Sequence, residues 1–392
     1  MNRLRLALLP VLALFAGAAD LPPADYAADA ASIERRVDED YAYLDRLPGG
    51  RLPMTAKLRA EAAAVGSEKQ LIRYAERALT LLADHHAITG SSLPDSWAVF
   101  PTYADLWVER RGDSYVIEQV RVRSPAEWRG IRAGDRLVAV DGKPIAVAVA
   151  EFWADLGAAG GGERDSYAAR VLAAGKRHRE RRLTVQRGAA PPRQLALSNL
   201  YFTQLMDRPV LQFAEVGPNL VITFNDSLGY DATISAFDSA MARARPGQRI
   251  VIDLTDTPSG GNTTIARAIL GWFVTRPTFY QMHSLPAEER QSGIARQWVE
   301  QVLPRAGKHH RGPVTVRVGR WTGSMGEGLA IGFDALGARV EGSRMAGLLG
   351  AIYDHKLDKS GQAIKFPTER LSHVDGTPRE KFVPAKPSGR LR

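Results

Sequence analysis

The chain contains no cysteine in its 392 residues. Disulfides, thiolate zinc sites, iron–sulfur clusters and a cysteine nucleophile are therefore excluded, and the core must be held by burial of apolar surface. The sequence also lacks a zinc motif, a phosphate-binding loop and a basic pattern interleaved with aromatic residues. We therefore expect a protein with no cofactor and no metal, and one that does not bind nucleic acid.

Long apolar runs are also missing, apart from a short one at the start of the chain. Two arginines precede an apolar stretch over residues 6–15, and three small residues follow it. This pattern predicts a secretory signal peptide over residues 1–18 with cleavage near Ala18, because the stretch is shorter than the roughly 20 residues of a membrane span. The mature chain is expected to be periplasmic or secreted, without stable insertion in a membrane.

The charge balance is basic. Lys and Arg number 52 against 43 Asp and Glu, so the net charge is +9, and loss of the predicted signal peptide with its two arginines leaves about +7. A basic chain suits an acidic partner as well as simple solubility. Binding to a polyanion stays an alternative, and its sign would be an affinity that falls steeply with salt.

The first predicted domain, residues 20–95, has a helical pattern. Ser67 and Gln70 form a capping box at the start of one helix. Apolar residues spaced by three or four follow it and would share one helix face: Leu71, Ala75, Leu79 and Leu82. The helix is expected to end near residues 84–86, and we interpret its apolar stripe as core.

The second predicted domain covers residues 98–190. Two strand-like runs, Ser114–Val120 and Arg181–Gln186, bracket the segment SPAEWRGIRAGDRLVAVDGKPI at 124–145. This segment resembles the PDZ domains of bacterial proteases. The resemblance implies a groove that takes an extended peptide as an added strand, and a small β-domain with a blocked groove is the alternative.

The third predicted domain covers residues 200–388. Short apolar runs alternate here with helix-like stretches: strands at 220–224, 249–254 and Val314–Val318, helices at 233–245 and 263–275. Such alternation predicts an α/β layer structure with strands covered on both faces. Glycines cluster where the strands should end, and loops at strand ends are where α/β proteins usually hold their chemistry.

One of these strand ends leads directly into a helix that begins at Ser324. A serine there lies beside free backbone N–H groups and the positive end of the helix dipole, which stabilise a developing anion. The alternative is structural, because Ser324 and Glu327 also form an S-x-x-E capping box. The hydrolase elbow G-x-S-x-G is not satisfied, since position 322 is Thr.

A serine hydroxyl needs a base, and the side chain whose pKa is nearest neutrality is histidine. His85 and His86 lie at the end of an amphipathic helix, where a loop begins. We therefore expect the helix to support them rigidly and its exposed tip to present them. The spacing does not say which of the two would face the serine.

Three separated motifs together resemble those of one protein family. They are LLADHHAITG at 81–90, IVIDLTDTPSGGN at 250–262 and GRWTGSMGEG at 319–328. They are similar, in the same order, to motifs of the tail-specific and tricorn-type serine peptidases, which carry a PDZ domain between the first two. The resemblance implies an α/β multidomain fold with a helical N-terminal region, a PDZ-like β-domain and an α/β layered peptidase core of the crotonase or Clp-protease kind.

The resemblance also implies site residues. Ser324 takes the place of the nucleophile and His86 that of the family's histidine. The oxyanion hole falls to the N–H of Met325 together with Gly260 or Gly261.

The family uses two kinds of base. Tail-specific members use a lysine, and here Leu348 stands at its position. Tricorn-type members use the histidine with a carboxylate near the carboxyl end, and Glu380 takes that place, although Phe382 and Lys386 depart from the motif. We therefore expect a histidine mechanism, with activity rising through an apparent pKa near 6.5, moved by the charge and burial of the site.

The predicted function is an exported serine endopeptidase that cleaves unfolded or C-terminal peptide segments through an acyl-enzyme on Ser324. Its partner is a peptide or unfolded protein substrate. The alternative is a catalytically silent family member that binds peptides or other ligands, and it is motivated by Leu348 and by the departures around Glu380.

Overall fold

The computed structural model describes residues 21–200 and 208–386. The predicted signal peptide, residues 1–18, lies outside the described residues. Within the described part of the chain, no helix is both long enough and apolar enough to cross a membrane. The fold is a mixture of helices and several sheets, so the predicted α/β class is confirmed.

The helical region begins the described chain. Ser67 caps helix α3 (Glu68–Thr80) by accepting the N–H of Gln70 at 3.4 Å, as its capping motif predicts. The apolar stripe of α3 is buried, but the helix ends at Thr80, a few residues before the predicted end. The elements of this region are α1 (Pro23–Asp40), α2 (Ala56–Ala63), α3 (Glu68–Thr80) and the short strand β1 (Ile88–Thr89).

The β-domain follows, and its two predicted strands have the predicted bounds. The elements are β2 (Leu106–Arg111), β3 (Ser114–Val120), α4 (Pro125–Trp128), β4 (Arg136–Val140), β5 (Lys143–Pro144), α5 (Ile145–Ala154), α6 (Glu163–Ala174), β6 (Arg181–Gln186) and β7 (Arg193–Leu197). The sheet has the order β2-β3-β4-β6-β7, with β5 beside β4. The helices α5 and α6 were not predicted from the sequence.

Helix α6 covers the outer edge of β2. Among the described strands β2 pairs with β3 alone, so one row of its backbone groups is left for another partner. The N–H of Arg110 donates to Oγ of Ser166 at 2.9 Å, and Nη1 of Arg170 donates to the carbonyl of Val108 at 3.3 Å. An added peptide strand would need these same edge groups. The edge is therefore occupied by the chain's own helix, which matches the blocked alternative.

The third region holds the remaining elements. Three predicted strands are present here, and the predicted helices are present but shorter than expected. The elements are β8 (Leu211–Val216), β9 (Asn219–Phe224), α7 (Ala232–Met241), β10 (Arg249–Asp253), β11 (Asp256–Thr257), α8 (Thr263–Leu270), β12 (Thr278–Ser284), α9 (Pro286–Ser292), β13 (Gln297–Val302), β14 (Val314–Val318), β15 (Trp321–Thr322), α10 (Met325–Ala335), β16 (Arg339–Gly342), β17 (Ala351–Lys356) and β18 (Ala363–Ser372).

Two larger sheets organise this region. One has the order β16-β14-β10-β9-β8, parallel except at β8. The other has the order β1-β18-β12-β13, with β17 beside β18, so β1 joins the helical region to the last long strand. The short strands β11 and β15 pair in parallel, with Thr257 opposite Thr322. This pairing places the loops after β11 and β15 side by side.

Contacts between regions hold these loops in place. Nε of Arg121 donates to Oδ1 of Asp256 at 2.6 Å, and both side chains are buried. Nε1 of Trp321 donates to the carbonyl of Ala104 at 2.7 Å. One apolar core also runs continuously through the helical region, the β-domain and strand β18. The β-domain is thus fixed against the segment that carries Ser324.

Candidate active site

Ser324 stands on a sharp turn between β15 and α10. Its backbone has φ +51° and ψ −117°, a combination that non-glycine residues rarely adopt and that tends to be kept where a side chain has a function. Gly323 makes the turn possible, because a Cβ there would lie 2.4 Å from the carbonyl oxygen of Pro258. The strand-turn-helix geometry of a nucleophile elbow is therefore present without its sequence motif.

The imidazole of His86 faces this serine. Its Nε2 lies 3.1 Å from Oγ of Ser324, and its Nδ1 lies 2.5 Å from the carbonyl oxygen of Leu349. Because a carbonyl only accepts, Nδ1 carries the proton and Nε2 is free to accept the serine hydroxyl. This is the tautomer that a general base requires.

The surroundings of His86 fix its position and its charge. The backbone N–H of His86 donates to Oδ1 of Asp84 at 2.9 Å. The hydroxyl of Tyr41 donates to Oδ2 of the same aspartate, also at 2.9 Å. The side chain is 1% exposed rather than at an exposed tip. Burial, together with Arg379, lowers the pKa of His86 to about 3, well below the value near neutrality expected from the sequence. The imidazole is therefore neutral in the free site.

His85 faces the other way. Its Nδ1 donates to the carbonyl of Val99 at 2.7 Å, and its Nε2 accepts from Nε of Arg170 at 2.9 Å. Its ring lies on Tyr167 with centroids 4.5 Å apart. The structure thus brings His86, and not His85, to the serine.

Glu327 does more than the predicted capping box suggests. The side chain is 0% exposed, and its Oε2 accepts the N–H of Ser324 at 2.9 Å and that of Leu348 at 3.1 Å. Its Oε1 accepts the N–H of Gly347 at 2.8 Å. Burial raises the pKa of this carboxyl to about 7. Glu327 therefore ties the serine turn to the segment that precedes Leu349.

Arg379 holds the same segment from the other side. Its Nη2 donates to the carbonyl of Leu348 at 2.8 Å and to that of Gly350 at 2.7 Å, and the residue is 2% exposed. These two carbonyls flank Leu349, whose own carbonyl accepts from His86. Arg379 was not predicted from the sequence, where its only signal was its place beside Glu380.

Glu380 lies in a short 3₁₀ helix, Arg379–Lys381. Its Oε2 is buried and has no hydrogen-bond partner among the described residues. No hydrogen bond joins it to His86 in that part of the chain, and the group that orients the imidazole is the carbonyl of Leu349. The catalytic role of Glu380 stays a prediction.

The predicted oxyanion donors lie in the loop after β11 and at the start of α10. Met325 is the first residue of α10, so its N–H has no acceptor within the helix. Gly260 packs directly on it, since a Cβ on Gly260 would lie 2.7 Å from Cβ of Met325. Gly261 is exposed, with φ +135°. The structure brings Gly260 and Met325 together beside Ser324, and their role toward an oxyanion stays a prediction.

A cavity of about 1180 Å³ opens over these residues, and His86, Ser324 and Gly260 line it. The helical region, the β-domain and the α/β region all contribute to its walls. Its apolar and aromatic lining side chains include Trp97, Val99, Phe100, Tyr103, Phe152, Tyr230 and Ile352. Charged side chains line the cavity as well. A cavity of this size, with both apolar and polar walls, suits an organic ligand or a stretch of peptide. No cluster of three or more potential metal-ligating side chains occurs among the residues described.

Comparisons with known proteins give structural matches only. No family model matches the chain, and no curated protein matches it in sequence. The photosystem II D1 C-terminal processing protease is 16% identical, with a TM-score of 0.55, over 92% of this chain and 93% of that one. Mature CPAF is 14% identical, with a TM-score of 0.57, over 93% and 92% of the two chains.

A third solved structure, a putative peptidase from Parabacteroides merdae, is 10% identical, with a TM-score of 0.50, over 93% of this chain and 89% of that one. At sequence identities this low, the structural matches establish the fold and nothing beyond it. The predicted resemblance is therefore confirmed at that level, over nearly the whole chain of each neighbour. This chain has the fold of the C-terminal processing proteases.

Proposed function

We propose that this protein is a serine endopeptidase that acts on unfolded or C-terminal peptide segments. The observation that carries the proposal is the neutral imidazole of His86, held 3.1 Å from Oγ of Ser324. The serine is itself on a strained turn at a helix amino terminus. A nucleophile, an oriented base and adjoining backbone N–H groups are the set that acyl transfer needs.

The reaction follows from this arrangement. Nε2 of His86 takes the hydroxyl proton as Oγ of Ser324 attacks the peptide carbonyl carbon, and the carbonyl oxygen becomes an oxyanion. The N–H groups of Met325 and Gly260 stabilise that charge. His86 then gives its proton to the leaving amine, and an acyl-enzyme remains. Water, deprotonated by the same nitrogen, attacks the acyl carbon and releases the second product with regeneration of the serine.

The low pKa of His86 does not prevent this cycle. The imidazolium forms only in the intermediate, when an oxyanion of opposite charge lies nearby and favours the protonated form. The Leu349 carbonyl accepts the Nδ1 proton throughout, so the ring keeps its orientation. The imidazole is also buried, which strengthens both interactions.

Substrate would reach the serine through the cavity rather than as a strand added to β2. Ser166 and Arg170 already occupy the outer edge of β2. The apolar and aromatic walls of the cavity suit an unfolded segment, whose apolar side chains are free to enter. The predicted signal peptide would direct the protein to the periplasm or outside the cell, where unfolded exported chains would be its substrates.

A catalytically silent binding protein is the second candidate. Leu348 is buried where a lysine base would act, and Oε2 of Glu380 has no hydrogen-bond partner in the described chain. The cavity alone would then hold a peptide. A fluorophosphonate probe separates the two candidates, because it labels an activated serine and leaves a silent one unlabelled.

The test of the first candidate is the Ser324→Ala variant, assayed on an unfolded protein such as reduced, alkylated casein. We expect loss of hydrolysis by at least about a thousandfold, as for removal of a nucleophile elsewhere, with an unchanged melting temperature. Ser235→Ala, at an exposed serine on α7, is the matched control. Undiminished hydrolysis by Ser324→Ala would overturn the proposal.

A further inference from the structure

The turn after β9 carries an aspartate in an unusual conformation. Asp226 has φ +57°, in the region that favours glycine. Both of its neighbours are tied to the chain before β8. Nδ2 of Asn225 donates to the carbonyl of Pro209 at 2.9 Å, and Oγ of Ser227 donates to that of Val210. The surrounding hydrogen bonds therefore hold Asp226 in its strained conformation and set the direction of its carboxylate.

That carboxylate is aimed at the loop after β11. Oδ1 of Asp226 accepts both the N–H and the hydroxyl of Ser259, each at 2.6 Å. Oδ2 lies 3.5 Å from Oγ1 of Thr102. Hydrogen bonds to a charged acceptor are stronger than neutral ones, so two of them hold Ser259 firmly. The residue they hold immediately precedes Gly260.

The other side of the loop rests on the serine turn. The N–H of Gly323 donates to the carbonyl of Thr257 at 3.0 Å, and Gly260 is in contact with Met325. The loop is thus fixed between the Asp226 carboxylate on one side and the Ser324 turn on the other. Loss of the carboxylate would leave it held on one side only.

We propose that Asp226 is a positioning residue that keeps the N–H of Gly260 beside that of Met325 during the reaction. The inference rests on the proposed peptidase function and goes beyond it. A carboxylate offers no hydrogen bond to an oxyanion, so its effect runs through the backbone of Ser259 and Gly260. Displacement of an oxyanion donor by about 1 Å can cost on the order of a hundredfold in rate.

Two substitutions separate the effect of losing the hydrogen-bond acceptor from the effect of relieving the backbone strain. Asp226→Asn keeps an oxygen acceptor on a residue that tolerates positive φ, whereas Asp226→Gly relieves the strain but has no acceptor. We expect Asp226→Asn to keep kcat within about threefold of wild type. Asp226→Gly should lower kcat by about 10- to 100-fold, with KM changed by less than about threefold, because ground-state binding does not use the oxyanion donors.

Asp253 provides a matched control. It ends β10 and accepts the N–H of Thr255 at 3.0 Å and its hydroxyl at 2.6 Å, the same two bonds in the loop between β10 and β11. Asp253→Gly should keep wild-type kcat. All rates are measured well below each variant's melting temperature, with the wild type and Ser324→Ala alongside.

The outcomes are distinct. Wild-type kcat in Asp226→Gly, or an equal loss in Asp226→Asn and Asp226→Gly, would overturn the role of Asp226. Wild-type hydrolysis that is insensitive to Ser324→Ala would instead overturn the proposed function. A fall confined to Asp226→Gly, and to its kcat, supports the inference.

Discussion

Nε2 of His86 and Oγ of Ser324 lie 3.1 Å apart although the two residues are separated by 238 positions in the chain. The helical region supplies one and the α/β region the other. Their distance therefore depends on how these regions pack, and in particular on strand β1, which pairs with β18 just after His86. Four predictions follow from this arrangement and from the groups around it.

Replacement of the two adjacent histidines should have unequal effects. His86→Ala should lower kcat nearly as much as Ser324→Ala, since removing either member of a coupled pair disables the same step. His85→Ala should cost far less in kcat, because His85 contacts Val99 and Arg170 and not the serine. Rates and melting temperatures of both variants check this. A larger loss of kcat in His85→Ala than in His86→Ala would contradict the assignment.

The pH profile of hydrolysis should show no titration of His86 near pH 7, because its imidazole is uncharged there. Burial and Arg379 lower the pKa of His86 to about 3 from an ordinary 6.5, so the base is lost only in strong acid. An inflection near pH 7 should come from Glu327, whose pKa burial raises to about 7. Activity should rise there with pH, because the carboxylate accepts all three backbone N–H groups only when ionised.

The Glu327→Gln variant distinguishes titration of Glu327 from titration of His86. We expect the inflection of kcat/KM near pH 7 to disappear in this variant. Stability gives a second readout: a carboxyl with a raised pKa contributes stability that is present below pH 4.5 and is lost as the pH rises through about 7. The variant should lack that dependence. An inflection near pH 7 that survives in Glu327→Gln would mean that His86 titrates there.

The neighbours Arg379 and Glu380 should also differ. Arg379→Met removes two donors from the carbonyls that flank Leu349, and a buried carbonyl left without a partner costs about 1–3 kcal/mol. We expect a lower melting temperature and a kcat reduced by about tenfold or more, since the orienting carbonyl of Leu349 would shift. Arg379→Lys should recover part of both.

Glu380→Gln is the matched control for this pair. No hydrogen bond to His86 would be lost, so kcat should stay within about threefold of wild type. A loss of kcat in Glu380→Gln that exceeds the loss in Arg379→Met would contradict this expectation. It would support the predicted catalytic role of Glu380 instead.

Placing the lysine of tail-specific proteases at position 348 should not increase hydrolysis. Leu348 is 1% exposed and packs with Trp107, Trp321 and Ala346. An ammonium there would be buried among apolar side chains and would lie near an imidazole that becomes positive in the reaction. Leu348→Lys should therefore lower the melting temperature and give no gain in hydrolysis.

Leu348→Met conserves volume and is the control, with an expected cost below about 1.5 kcal/mol. The decisive measurement is the double variant with His86→Ala. Hydrolysis restored by the lysine in that background would show that position 348 can supply the base after all.

Local patterns were sufficient for several features. The cap at Ser67, the strands Ser114–Val120 and Val314–Val318, and the strand-to-helix turn at Ser324 were all predicted correctly. Each depends on residues close in sequence: a hydroxyl three positions before an N–H, apolar runs bounded by turns, or glycines at a sharp bend. The signal peptide, the domain boundaries and the role of Glu380 stay predictions.

The amino-acid sequence by itself thus determined the order of the motifs and the kinds of residue that meet at the site. Tertiary structure decided which histidine faces the serine, how far burial lowers its pKa, and that α6 covers the edge of β2. It also decided which backbone groups Arg379 and Asp226 hydrogen-bond, those of Leu349's neighbours and of Ser259. A carbonyl or an N–H is the same in every residue, so its use has no sequence signature. Only the packing of distant segments selects which backbone groups are held in place.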